Sequence, residues 1–271
     1  MEKDKTIGIS YYKGKFLRRL YRQIIGFEVL KKSYSEEISL FSSNTASLLS
    51  LDESITNGMA VKDHIEKACI VGLKTEFELF FSIYCRFVIR HLLFIAEKSG
   101  NLPKNHEGLR DCIQDKKKFF YDFAQLGFTG AQELFIQKAI PDYGLERMIR
   151  MLDQCGWRIF NFFTDADISD FLNKLPCELC HTNLHPIHQI ITAFQVRHTI
   201  EHCFSKVTSS FREKVFCYLP RSSWIRHFPD LIADGTRITI DETDIKLTAA
   251  SMSFVSHVIV SQLEGCIQSC K

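Results

Sequence analysis

The stretch that decides the fold is Leu184–Phe204, LHPIHQIITAFQVRHTIEHCF. Pro186 stands where a first helical turn tolerates it, since the N–H it lacks would have no intrahelical partner. Ile187, Ile190, Ile191, Phe194 and Ile200 then recur at helical spacing, an apolar stripe that must face a core. Into this helix are set Arg197, His198, Glu201 and His202. A permanent cation and two imidazoles within one and a half turns make an unusual load for a helix so apolar elsewhere.

The rest of the chain agrees with a helical reading. Against 23 Phe stand only 6 Pro and 13 Gly, so breakers are scarce and large apolar residues plentiful. A net charge of +2 gives no strong general attraction for polyanions. The N-terminal MEKDKTIGIS lacks the apolar core of a signal peptide, so a reducing cytoplasm with free thiols is expected for the ten cysteines. The most apolar window, Leu79–Ala96, carries Arg86, Arg90 and His91, and is read as a buried or amphipathic helix with no membrane partner.

Taken in order, residues 1–57 read as an N-terminal helical extension and 58–271 as the main helical domain. Phe16–Lys32 is an amphipathic helix with Arg18, Arg19, Arg22, Lys31 and Lys32 on its polar sides, which is a solvated face or a contact for nucleic acid or an acidic partner. A Ser-rich segment, Ser33–Asn57, with some helix expected near Ser35–Phe41, ends in a turn at Thr56-Asn57-Gly58. One or two long helices follow over Val61–Lys98, with Asp63 a candidate cap at the start. Further helices are expected from Leu109 to Leu126, Thr129 to Ala139, Tyr143 to Gln154 and Asp165 to Leu175. Pro220–Asp234 reads as a loop and Thr236–Asp241 as a short strand or hairpin arm. Thr243 or Asp244 caps a final helix to Gln268. The fold class is all-α with a small β element near the C-terminus.

Several constellations carry possible chemistry. Cys177-Glu-Leu-Cys180-His181 spells a haem-attachment pattern, but no export signal accompanies it. Cys177, Cys180, His185 and His188 offer four zinc-type donors at tight spacing, with incidental loop thiols the plainer alternative. Cys203 beside His202 diverges from it around a helix, so a thiol nucleophile is disfavoured. Asp165 and Asp167 precede a helix, as capping acids do. No phosphate-cradling glycine motif occurs. No metal and no cofactor are expected. Arg197-x4-His202 pairs a cation able to stabilise a phosphorane-like transition state with an imidazole able to move a proton. Those two jobs suffice to cleave RNA, whose 2′-hydroxyl supplies the nucleophile. Arg86-x4-His91 has the same spacing and Arg221-x5-His227 a looser form, so spacing alone leaves all three open.

QVRHTIEH resembles the R-x4–6-H signature of the HEPN superfamily, helical bundles that include many metal-independent endoribonucleases. The resemblance favours Arg197/His202, because His198 supplies the polar residue after the Arg and one more long helix follows. It implies a HEPN-like bundle over roughly Val61–Gln268. It also implies that Arg197 binds the scissile phosphate, assisted by Glu201, that His202 is the general acid/base, and that His198 orients the site. RNA would be the substrate, with a 2′,3′-cyclic phosphate and a 5′-hydroxyl as products, in a toxin or antiphage setting with an antitoxin or sensor partner. Phe204 stands where some toxin–antitoxin relatives carry Tyr. Five residues are about 140° of helix, so Arg197 and His202 are splayed, and an antiparallel homodimer is expected to complete the site. The alternative is a non-catalytic HEPN-like nucleotide- or protein-binding module in which Arg197 pairs with Glu201.

Overall fold

The computed structural model describes residues 8–45, 51–99, 144–176, 179, 183–202, 206–227, 235 and 238–269. Among them the chain is predominantly helical and holds no strand. In chain order the helices are α1 (Ile9–Thr45), α2 (Leu51–Ser99), α3 (Leu145–Gln154), α4 (Asp165–Lys174), α5 (Pro186–His202), α6 (Ser209–Val215) and α7 (Glu242–Ser269). Short 3-10 turns lie at Ile159–Phe162, Leu219–Arg221 and Ser223–His227. Among the described residues no helix is long and apolar enough to cross a membrane.

Two compact units emerge. The first draws on Met1–Lys15, Phe77–Asp167 and Ser256–Lys271. Its core gathers Phe77, Phe81, Tyr84, Val88, Ile89 and Leu152. The Phe77 and Phe81 rings stack at 5.9 Å. The indole N–H of Trp157 donates to the Tyr84 hydroxyl at 2.7 Å, so two buried polar groups satisfy each other. Trp157 is placed there by the end of α3. Gly156 adopts φ 80°, its N–H bonds Asp153 O, and the Trp157 N–H bonds Leu152 O, the pattern by which a glycine turns a helix off.

The second unit takes Phe16–Glu76 and Ile168–Val255. Phe171, Leu175, Leu184 and Leu247 form a buried cluster here, with Phe254 packed 4.7 Å from Phe171 between ring centres. α5 lies at its heart and packs on α6 and on both later 3-10 turns. Ion pairs join α1 to its neighbours: Arg19 to Glu76 at 3.1 Å, Glu28 to Lys246 at 3.0 Å, and Lys31 to Glu242.

The elements depart from expectation in several places. α1 extends well beyond Phe16–Lys32 at both ends, into the Ser-rich segment. The turn placed at Thr56-Asn57-Gly58, and with it the boundary between 57 and 58, falls inside α2. Continuing a helix keeps its hydrogen-bond ladder unbroken, and this overrides the local turn preference of Asn-Gly. Asp63 therefore caps nothing; it sits mid-helix and accepts from Lys67 at 2.6 Å. α3 starts two residues later than expected, at Leu145. α6 is an additional helix, its N-cap Thr208 accepting from the Phe211 N–H. The helices expected over 109–126 and 129–139 lie outside the described residues.

The strand expected over Thr236–Asp241 is not seen in its described part: 238–241 form no regular element. Ile238 and Ile240 are buried and Thr239 is exposed, so the alternation does sort side chains. No strand lies alongside among the described residues to pair with it. The cap of α7 is Asp241. Its Oδ1 accepts from the Asp244 N–H at 2.9 Å, and Asp244 Oδ2 accepts from the Asp241 N–H at 3.3 Å. This is a reciprocal capping box with Asp at both ends. Thr164 and Asp167 form a second such box at the start of α4.

Candidate functional site

α5 is buried along most of its first ten residues, with His188 and Gln195 half-buried. Ile187, Ile190, Ile191 and Phe194 are inside, and so are Gln189, Thr192 and Ala193 between them. A helix apolar or satisfied all round belongs in an interior. Its start is fixed by two backbone bonds, His185 N–H to Arg221 O at 2.8 Å and Gln189 N–H to His185 O at 3.0 Å. Only the last turn and a half emerges. There Val196 and Thr199 remain buried, Arg197 is half-buried, and His198 and His202 are exposed. Thr199 spends its hydroxyl on Gln195 O at 3.0 Å.

His198 and His202 are four residues apart and therefore share a face. Their ring centres lie 4.7 Å apart. Arg197 is about 100° round the helix from His198. The exposed end of this helix thus presents two neighbouring imidazoles, while Arg197, about 140° round from His202, is half-buried with its Nε inside. The helix fixes their backbones, which is the rigidity a reacting site needs. The side chain of Glu201 lies outside the described residues.

The other two Arg/His spacings meet different surroundings. Arg86 is exposed, while His91 is buried edge-on to Trp157 at 6.3 Å, and burial lowers its pKa. Arg221 and His227 fall on separate 3-10 turns. Arg221 lies close enough to His185 and His188 to depress both their pKa values, whereas His227 faces Asp244.

His185 and His188 form a cluster at the buried end of α5, with ring centres 4.7 Å apart. Burial comes first among the causes that push His185 down to about 3, followed by the charges of His188 and Arg221. His188 falls to about 4 through burial and Arg221, partly offset by a hydrogen bond to the Tyr218 backbone. Both are neutral imidazoles at pH 7. Cys177 and Cys180, the thiols considered with them as zinc donors, lie outside the described residues. Cys69, Cys85, Cys155, Cys217 and Cys266 are free thiols.

Sequence reasoning passed over one buried polar network. Gln189 Nε2 donates to Ser223 Oγ at 2.9 Å and Thr248 Oγ1 at 3.1 Å, and its Oε1 accepts from the Ser223 N–H at 2.8 Å. Ser223 Oγ donates to Asp244 Oδ1 at 2.7 Å. His227 Nε2 lies 2.5 Å from Asp244 Oδ2, and Thr239 Oγ1 is 3.2 Å from His227 Nδ1. Arg226 reaches Asp244 at 2.9 Å and both Asp241 oxygens at 3.3 Å. Burial alone would push the Asp244 carboxyl up. The His227 hydrogen bond and charge, the Ser223 hydroxyl and the Arg226 guanidinium outweigh it and hold Asp244 below the usual carboxylate range. The Asp-x2-Asp spacing before the α7 pattern was the one signal for this network that the sequence contained.

His227, Asp241 and Asp244 also group as a metal site would, their donor atoms within 4.8 Å of one another. Their lone pairs are already engaged, however. Each oxygen of the two carboxylates accepts at least one protein N–H or O–H, and the Arg226 guanidinium stands where a cation would. The arrangement locks α5, the Ser223–His227 turn and the start of α7 together. It does not offer an open coordination position. Compared with protein families, curated proteins and solved structures, the chain matches none.

Proposed function

We propose that this protein is a metal-independent endoribonuclease of HEPN type. The observation that carries the proposal is the emergent end of α5: exposed imidazoles of His198 and His202 at 4.7 Å, next in sequence to half-buried Arg197, on a helix mostly buried before them. RNA cleavage needs a base to take the 2′-hydroxyl proton and an acid to protonate the departing 5′-oxygen. Arg197 binds the scissile phosphate and stabilises its extra charge as the 2′-oxygen bonds to phosphorus. His202 moves the proton, and His198 orients the phosphate or takes the complementary proton-transfer role. The P–O5′ bond breaks, leaving a 2′,3′-cyclic phosphate and a 5′-hydroxyl. A homodimer with antiparallel α5 helices would bring two copies of each group to one cleft. The setting implied by the resemblance is a cytoplasmic toxin or antiphage system with an antitoxin or sensor partner.

The half-burial of Arg197 is the observation that favours a second reading, a non-catalytic HEPN-like module binding a nucleotide or a protein. End-group analysis of RNA incubated with the purified chain in EDTA separates the two. The nuclease yields cyclic phosphate ends that disappear with His202→Ala, whereas the binding module yields none.

A further inference from the structure

A second surface, unconnected with the α5 groups, lies on α1. At about 100° per residue, Phe16, Leu20 and Phe27 fall in one narrow sector, and all three are buried. The opposite sector carries Arg18, Tyr21, Arg22, Ile25 and Val29, all exposed, with Tyr21 at 67%, Ile25 at 43% and Val29 at 57%. Single exposed apolar residues mean little. Tyr21, Ile25 and Val29, however, follow at i, i+4 and i+8, the row that forms a packing ridge between helices. Arg18, Arg22 and Gly26 form the adjoining row. A Cβ built on Gly26 meets nothing within 4 Å, so no internal contact calls for a glycine there. A glycine inside a helix nonetheless costs about 1 kcal/mol relative to alanine. It leaves a notch beside the ridge where another backbone can approach.

Charge narrows the choice of occupant. The only carboxylate between Phe16 and Ser33 is Glu28, which is half-buried and pairs with Lys246. The flanking Arg19 and Lys31 are bonded inward to Glu76 and Glu242. The outward sector is thus cationic and apolar, with no carboxylate of its own. A second copy of the same face would set cation against cation. A bilayer takes an in-plane helix with its cations at the flanks, but Arg18 and Arg22 here interleave with Ile25 and Val29 around the helix. RNA would suit the arginines and leave the aliphatic ridge against phosphates. We infer that the outward face of α1 docks an acidic amphipathic helix of a partner protein. The partner's apolar row would cover Tyr21, Ile25 and Val29, and its carboxylates would meet Arg18 and Arg22.

The test places a photo-crosslinking phenylalanine analogue at position 25 of the full-length chain in its own cell, and identifies what it joins by mass spectrometry. The expected product is one acidic, helix-forming segment of another protein. That segment is then made as a synthetic peptide and titrated onto the full-length chain. Affinity should fall about tenfold or more for the double variant Arg18→Glu/Arg22→Glu, and return when the peptide's facing acids are replaced by Lys. Gly26→Leu should weaken binding without lowering the melting temperature. Crosslinks to RNA, to lipid or to a second copy, no crosslink at all, or a peptide indifferent to the charge reversal would each overturn the proposal.

Discussion

Asp244 shows how much one side chain can hold. It is fully buried, completes the capping box of α7, and receives His227, Arg226 and Ser223. Asp244→Asn keeps the shape but removes the buried charge, leaving Arg226 to Asp241 alone and setting the new amide N–H2 against one of the donors that Asp244 now receives. The expected loss is about 3–5 kcal/mol, as for breaking a buried ion pair, read from urea unfolding midpoints. His185 and His188 make a prediction about pH. Folding lowers them to about 3 and about 4, while an unfolded imidazole titrates near 6.5. Between those values the unfolded chain binds more protons than the folded one, so stability rises with pH. Stability should therefore be complete above about 6.5 and fall toward pH 4, with each histidine contributing a slope of about 1.4 kcal/mol per pH unit. His188→Gln should roughly halve that slope in a pH series of unfolding midpoints; an unchanged slope would assign the acid sensitivity elsewhere. The burial of the two histidines was not legible beforehand, because their spacing showed them only as possible zinc donors, weighed and set aside, and their surroundings come from residues far along the chain such as Tyr218 and Arg221.

At the scale of elements, α5 was the most legible part. Pro186 at its first turn and the Ile/Phe stripe gave the helix, and it begins at that proline. What the stripe could not convey was burial of the polar positions between, since Gln189 is satisfied only by Ser223 and Thr248, which lie far along the chain. Gln189→Ala should cost about 3 kcal/mol by leaving the buried Ser223 N–H without its acceptor and the Ser223 and Thr248 hydroxyl oxygens without their donor. Single alanines at exposed His198 and His202 should stay within about 0.5 kcal/mol. A thermal-shift comparison of the three variants checks the contrast. α2 failed in the opposite sense. Asn57-Gly58 reads locally as a turn, yet the helix passes through it, because propensity is weak against an unbroken ladder. In the described part of the Thr236–Asp241 alternation, Ile238 and Ile240 are buried and Thr239 is exposed, so the pattern was a true signal of side-chain sorting.

At the scale of the molecule, the scarcity of proline and the abundance of Phe pointed to the helical class, whereas the division into two compact units was not legible. α1, α2 and α7 each contribute residues to both compact units, so no composition shift in the chain marks where one ends. The functional account rests on α5. Cleavage should weaken with salt as phosphate contacts release counterions. The most direct measurement is incubation of structured and total RNA with the purified wild-type chain, Arg197→Ala and His202→Ala in EDTA, all three confirmed as folded. The account predicts cleavage by the wild type alone, with 2′,3′-cyclic phosphate ends. Intact RNA with the wild type, or full activity of either variant, would contradict it.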